Sequence, residues 1–153
     1  MIPVNQIDSL IAKLREGGSD LWISGPQPED AIRELELELG VEMPPSYRTF
    51  LAQYGGLSIG DWFISGIIDG DAIGEATGWL YADTMRFRDE FGIPESLLVV
   101  QPDEDAPFCL DVRNRSSDGE CPVVCYELHS GHAGRIAETF REWLLQGLQF
   151  RSG

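Results

Sequence analysis

Apolar positions in the first third of the chain recur with helical spacing. Ile7, Leu10, Ile11 and Leu14 stand at i, i+3, i+4 and i+7, which predicts a short amphipathic helix over residues 4–15. Gly17-Gly18-Ser19 ends it, and a loop carrying Trp22 and Gly25-Pro26 follows. Pro28-Glu29-Asp30 opens a second helix, because proline suits the first turn and acids suit the positive end of the helix dipole. Ala31, Ile32, Leu35 and Leu39 form its inner face, and Gly40 is placed to cap it in the left-handed conformation. Pro44-Pro45 forces a break and starts a third helix, in which Tyr47, Phe50, Leu51 and Tyr54 again share a face until Gly55-Gly56 stops it.

From Leu57 the period changes. Trp62-Phe63-Ile64 and Gly66-Ile67-Ile68 read as short strands, closed by Asp69-Gly70-Asp71. Residues 75–91 read as a helix with Trp79, Leu80, Met85 and Phe91 as core candidates, ended by Gly92-Ile93-Pro94. Three strands then follow: Leu97–Val100, Phe108–Val112 and Val123–Leu128, rich in β-branched and aromatic residues. A closing helix is predicted over about 135–149, with Ile136, Phe140, Trp143, Leu144 and Leu148 on one face. This order predicts an α+β fold, helices packed against one mostly antiparallel, twisted sheet, in a single domain over residues 1–153. The core should bring Leu35, Leu39, Tyr47, Phe50 and Leu51 against Phe140, Trp143 and Leu144 or the sheet.

The stretch Ile32–Leu57 carries Glu36-x-x-Leu39-Gly40, Met43-Pro44, Tyr47-x-x-Phe50-Leu51 and Gly55-Gly56. In that order these resemble the SUKH superfamily, whose eukaryotic founder is a yeast cell-wall synthesis regulator. Met43 stands where leucine is usual, a volume-conserving exchange. Tyr54 replaces an asparagine that often precedes the glycine pair, which implies a different helix cap. Leu110-Asp111, Pro122-Val123-Val124 and Ile136-Ala137-x-x-Phe140-x-x-Trp143-Leu144 continue the likeness, while Asp103-Glu104-Asp105 occupies a turn that more often holds glycine. The resemblance implies a SUKH-like fold and a binding module, frequently an immunity protein that neutralises a toxin delivered between bacterial cells.

Composition changes the picture mainly through charge. The chain has 26 acidic and 11 basic residues, a net charge of −15. Residues 61–105 alone hold 11 acids against 2 bases. Such a field repels nucleic acid and anionic lipid and attracts basic proteins, although acidity also serves solubility alone. No apolar run approaches the roughly 20 residues that span a bilayer. Met1–Gln6 shows no basic patch followed by an apolar stretch, so a cytoplasmic location is expected.

Catalytic and metal chemistry find little support. Cys121-x3-Cys125-x3-His129-x2-His132 has a zinc-like composition, but on a strand Cys121 and Cys125 stand about 13 Å apart at ~3.3 Å per residue, too far for one ion. Cys109 or Cys121 beside a histidine lacks any nucleophile signature. Asp69-Gly70-Asp71 and Asp103-Glu104-Asp105 do not fit a twelve-position calcium loop, and Gly55-Gly56-x3-Gly60 lacks the lysine of a phosphate loop. No cofactor, metal or catalytic residue is expected.

What remains is partner binding. The resemblance and the charge together point to a non-enzymatic inhibitor of a basic protein toxin, binding through an acidic surface. Its candidate residues are Asp61, Trp62, Asp69, Asp71, Glu75, Trp79, Asp83, Asp103, Glu104 and Asp105. Trp62 and Trp79 flank carboxylates as interface anchors do, but each reads first as a core side chain. The alternative is an intracellular regulatory or scaffold module of the cell-wall-regulator type, binding an endogenous protein.

Overall fold

The computed structural model describes residues 5–152. Five helices and seven strands follow in the order α1 (Gln6–Glu16), β1 (Leu21–Ile23), α2 (Glu29–Leu39), α3 (Pro45–Gln53), β2 (Leu57–Ile59), β3 (Trp62–Ile64), α4 (Leu80–Phe91), β4 (Leu97–Gln101), β5 (Phe108–Asp111), β6 (Val123–Tyr126), β7 (Ala133–Ala137) and α5 (Phe140–Ser152). The fold is α+β, as expected, and every ladder is antiparallel. The strands form two sheets rather than one, in the orders β1-β2-β3 and β4-β5-β6-β7. A hydrogen bond from Ser65 N to Val100 O (2.8 Å) links them where β3 runs out beside β4.

Three helix predictions agree closely with the structure. α1 begins at Gln6, with the Asn5 side chain accepting from Ile7 N at 2.9 Å; Val4, the predicted start, lies outside the described residues. Gly40 ends α2 with φ 68°, the left-handed cap expected of it. The Glu36-x-x-Leu39-Gly40-x-x-Met43 pattern has a structural reason. Glu36 accepts the Met43 backbone N–H at 2.8 Å and faces Arg48 at 3.4 Å, so one carboxylate fixes the loop that turns the chain into α3. At the other end of α3, Gly55 lies beneath Gly66, where a β-carbon would come 1.7 Å from the Gly55 carbonyl oxygen; no other residue fits that crossing.

The core forms as predicted. Tyr47, Phe50 and Leu51 of α3 meet Phe140, Trp143 and Leu144 of α5, with Leu35 buried and Leu39 packed at the margin. Phe140 is the hub, edge-on to Tyr47 (ring centroids 4.9 Å) and to Phe50 (5.2 Å), with Trp143 at 5.8 Å.

Several elements differ from the sequence reading. Trp22 lies on a strand, β1, not in a loop, and Leu57–Ile59 is a strand paired with β3 across the two-residue turn Gly60-Asp61. Gly66–Ile68 makes only isolated bridges, Gly66 to Trp79 and Ile68 to Asp71. α4 starts at Leu80, not at residue 75, because Gly74 and Gly78 lie in a folded loop. The closing helix starts at Phe140, because Ala133–Ala137 pairs with β6. Thr139 caps it by accepting from Glu142 N at 3.0 Å, while Glu142 reaches back to Glu138 N. In β7 the register slips: Val124 faces Arg135 and Val123 faces Ala137, which leaves Ile136 as a bulge residue, 46% exposed.

Candidate functional site

The acidic segment of the first sheet is a fixed loop, Ser65–Trp79, held from several sides. Asp69 (φ 56°) and Gly70 (φ 72°) form a two-residue turn in which Asp71 N donates to Ile68 O at 3.0 Å. Both central residues need positive φ, the type I′ pattern, which glycine adopts freely and aspartate tolerates. The turn is tied to the exit of β1. Gln27 accepts the Gly70 N–H at 2.9 Å and donates to Ser24 Oγ and the Gly25 carbonyl, while Ser24 Oγ donates to the Ile67 carbonyl at 2.8 Å. From below, Tyr47 donates its hydroxyl to the Ser65 carbonyl at 2.7 Å.

Asp83 organises the loop's two ends. It is 1% exposed and accepts three hydrogen bonds: from Ser65 Oγ (2.6 Å), Thr77 Oγ1 (2.8 Å) and Gly78 N (3.1 Å). It sits in the first turn of α4, where the dipole favours a negative charge. Burial and the neighbouring Asp83 carboxylate both push the Tyr47 phenol well above its ordinary pKa, so it stays protonated as a donor.

Two predicted contact residues are therefore corrected. Asp83 faces inward: at 1% exposure, with its oxygens turned to three loop donors, it is out of a partner's reach. Trp62 is buried as well. Its ring packs on Gly147 of α5, lies 5.7 Å from Trp143 and beneath the Arg151 guanidinium, and its indole N–H donates to Gln101 at 2.9 Å. Trp79 is half-buried. It donates its indole N–H to the Asp71 carbonyl (2.8 Å) and covers Gly74, where a β-carbon would come 2.2 Å from the ring. Trp79 is thus a strut of the loop.

Asp69, Asp71 and Glu75 are exposed on this loop, and Asp61 is exposed in the turn between β2 and β3. Asp103, Glu104 and Asp105 are exposed on the β4–β5 turn of the other sheet, where Asp103 accepts from Asp105 N and Ala106 N. The Trp62–Gln101 hydrogen bond joins the strand beginning just after Asp61 to the one ending just before that turn.

Cys125 lies on β6, paired with Gly134 and Phe108, the strand position that argued against a shared zinc ion with Cys121. Among the described residues no three His, Cys, Asp or Glu side chains gather where a metal could sit. Burial pushes all three thiols up, Cys109 most. Native protein at pH 8 should accordingly react with a thiol reagent far more slowly at Cys109 than unfolded protein does. Equal rates would show that β5 opens readily. A cavity of about 260 Å³ opens between α1, α3 and α5, beside Ser46, Glu120 and Arg141. Its carboxylate is already engaged, since Glu120 accepts from Ser46 N and Oγ and so caps α3.

A family model named SUKH_5 and described as SMI1-KNR4 cell-wall matches residues 7–149, nearly the whole chain. The chain belongs to the SUKH superfamily. In this SUKH chain the residues that carry the family pattern, Glu36, Gly40, Met43, Tyr47, Phe50 and Gly55, fix the α2–α3 turn and the core, so the pattern reports the fold. Membership supports protein binding, whether as immunity or as regulation. No described helix of this SUKH chain is long and apolar enough to cross a membrane.

Proposed function

We propose that this SUKH chain is a non-enzymatic, cytoplasmic immunity protein that neutralises a basic bacterial toxin by covering it. One observation carries the reading: Asp69, Asp71 and Glu75 stand exposed on a loop whose shape is set from beneath, Asp61 stands exposed at the turn between β2 and β3, and no base lies in the sequence between Arg48 and Arg86. A fixed array of carboxylates attracts a cationic surface at long range and needs no reordering on contact. The Asp103–Asp105 turn extends the same field.

The test replaces Asp69 and Asp71 by asparagine and Glu75 by glutamine together, against the product of a toxin gene found next to the gene for this chain. Association at low salt should slow by roughly tenfold, the difference should fade at high salt, and the melting temperature should stay nearly unchanged, since rim charges steer encounter more than they hold a complex. Unchanged association at low salt would reduce the acidity to a solubility device. A second reading follows from the matched description itself: a regulatory module of the cell-wall type, binding an endogenous protein. Capture of a housekeeping partner from a strain that lacks any adjacent toxin gene would favour it.

A further inference from the structure

Among the described residues, the outer face of the first sheet is only partly covered. Leu21, Ile23, Leu57, Ile59, Trp62 and Ile64 turn into the core, so the alternate positions Trp22, Ser58 and Phe63, which are cross-strand neighbours, turn outward. Trp22 is 41% exposed and stacks on Phe63, with ring centroids 6.4 Å apart and planes 11° from parallel. At the side of Phe63 the backbone of Gly78 keeps the platform flat: a β-carbon there would come 3.0 Å from the Phe63 ring and 3.2 Å from Ile68. Trp62 and Trp79 spend their indole N–H groups inside the protein, whereas no hydrogen bond among the described residues uses that of Trp22.

The segments that build this platform carry charge of one sign. Every charged side chain in residues 19–27 and 55–79 is an acid. Asp20, Asp61, Asp69, Asp71 and Glu75 are all exposed, and no ion pair among the described residues involves any of them. Arg15 borders the cavity at Ile23, on the opposite face of β1, and Arg151 lies over the ring of Trp62, which turns into the core. An aromatic surface ringed by unneutralised carboxylates suits a cation that can both stack and donate in a plane. Arginine meets both demands, lysine only the charge.

We infer that this face docks an arginine-bearing basic segment of the partner protein, with Trp22 as the anchor and the Phe63 ring as its support. The inference rests on the protein-binding reading above and names the chemistry of the partner. Trp22 supplies the rigid aromatic contact of an interface hot spot, and its free indole N–H can donate to a backbone carbonyl of the docked segment.

The probe is a ten-residue peptide of alternating arginine and glycine, titrated at low salt into the isotope-labelled full chain. Its lysine and glutamate counterparts serve as controls. The indole N–H resonance of Trp22, assigned by its loss in Trp22→Phe, should shift with the arginine peptide, several-fold more weakly with lysine, and not with glutamate. Trp22→Leu, which keeps an apolar strand residue, should weaken binding at least tenfold without changing the melting temperature, and Trp22→Phe should restore most of it. If the arginine peptide leaves the Trp22 signal unmoved, or binds Trp22→Leu as tightly as wild type, the inference is overturned. The wild-type spectrum decides even if Trp22→Leu folds poorly. If the inference is overturned in either way while the Asp69, Asp71 and Glu75 replacements still weaken peptide binding, the acidic-surface reading stands and only the aromatic face falls. Failure of the adjacent toxin to bind, with the peptide shift intact, would remove the immunity reading alone.

Discussion

Asp83→Ala is expected to cost the fold about 3 kcal/mol or more, because it strands two buried donors, Ser65 Oγ and Gly78 N, and releases a third, the exposed Thr77 hydroxyl, to water. The hydroxyls of Ser65 and Thr77 and the N–H of Gly78 all converge on that carboxylate, and a buried donor left without an acceptor costs about 1–3 kcal/mol. Water cannot readily replace the acceptor, since Ser65 and Asp83 are both fully enclosed. Asp83→Asn is the informative companion. An amide can accept from Ser65 and Gly78 through its oxygen and donate to the Thr77 hydroxyl, which rotates to receive it. Its cost should be about 1 kcal/mol. Urea unfolding of both variants measures the difference, and amide exchange should show the 65–79 segment opening first in the alanine variant. Equal, small losses in the two would mean that the loop holds its shape without this carboxylate.

Phe140→Ala should cost about 3–5 kcal/mol, the usual range for emptying an aromatic site in a packed interior. Phe140 is fully buried and touches the rings of Tyr47, Phe50 and Trp143, so its loss breaks edge-to-face contacts as well as leaving a void. The void would lie beside the existing cavity between α1, α3 and α5, which Phe140 itself lines, and the two would merge. Domains of this size have about 5–15 kcal/mol of stability in all, so the variant should unfold at a much lower urea concentration. A loss below about 1 kcal/mol would mean that α5 does not anchor the core.

How much of this was legible in the sequence depended on whether the deciding contacts were local. α1, α2 and α3 could be read because each carries its apolar stripe and its own stop signals, Gly17, Gly40 and Gly55. β7 could not, because Ala133-Gly134-Arg135-Ile136-Ala137 has no strand composition and exists through its pairing with β6. Ile136 misled further by standing four and seven residues before Phe140 and Trp143, a helical spacing with no helix behind it. The capping pattern Thr139-x-x-Glu142 was the available signal for the true start of α5. The acidic region shows the same division. Charge density is a property of composition, but the direction each carboxylate faces is not. Asp83 turns inward because Ser65, eighteen residues earlier, turns toward it. Trp62 and Phe63 are neighbours on one strand, and period-two alternation says that they face opposite ways without saying which faces in.

The slipped register in β7 bears on how these molecules behave when concentrated. β7 is a free margin of the four-stranded sheet, and a straight margin invites another chain to add a rung. Here Ile136 interrupts the spacing of the backbone donors and acceptors, and Arg135, held by Glu138 at 3.0 Å, places a charge beside the gap. A strand approaching from outside would find its own groups out of step after two or three residues. Growth into fibres along that margin is thereby blocked by a single surplus residue, independently of the mutual repulsion between chains of like charge.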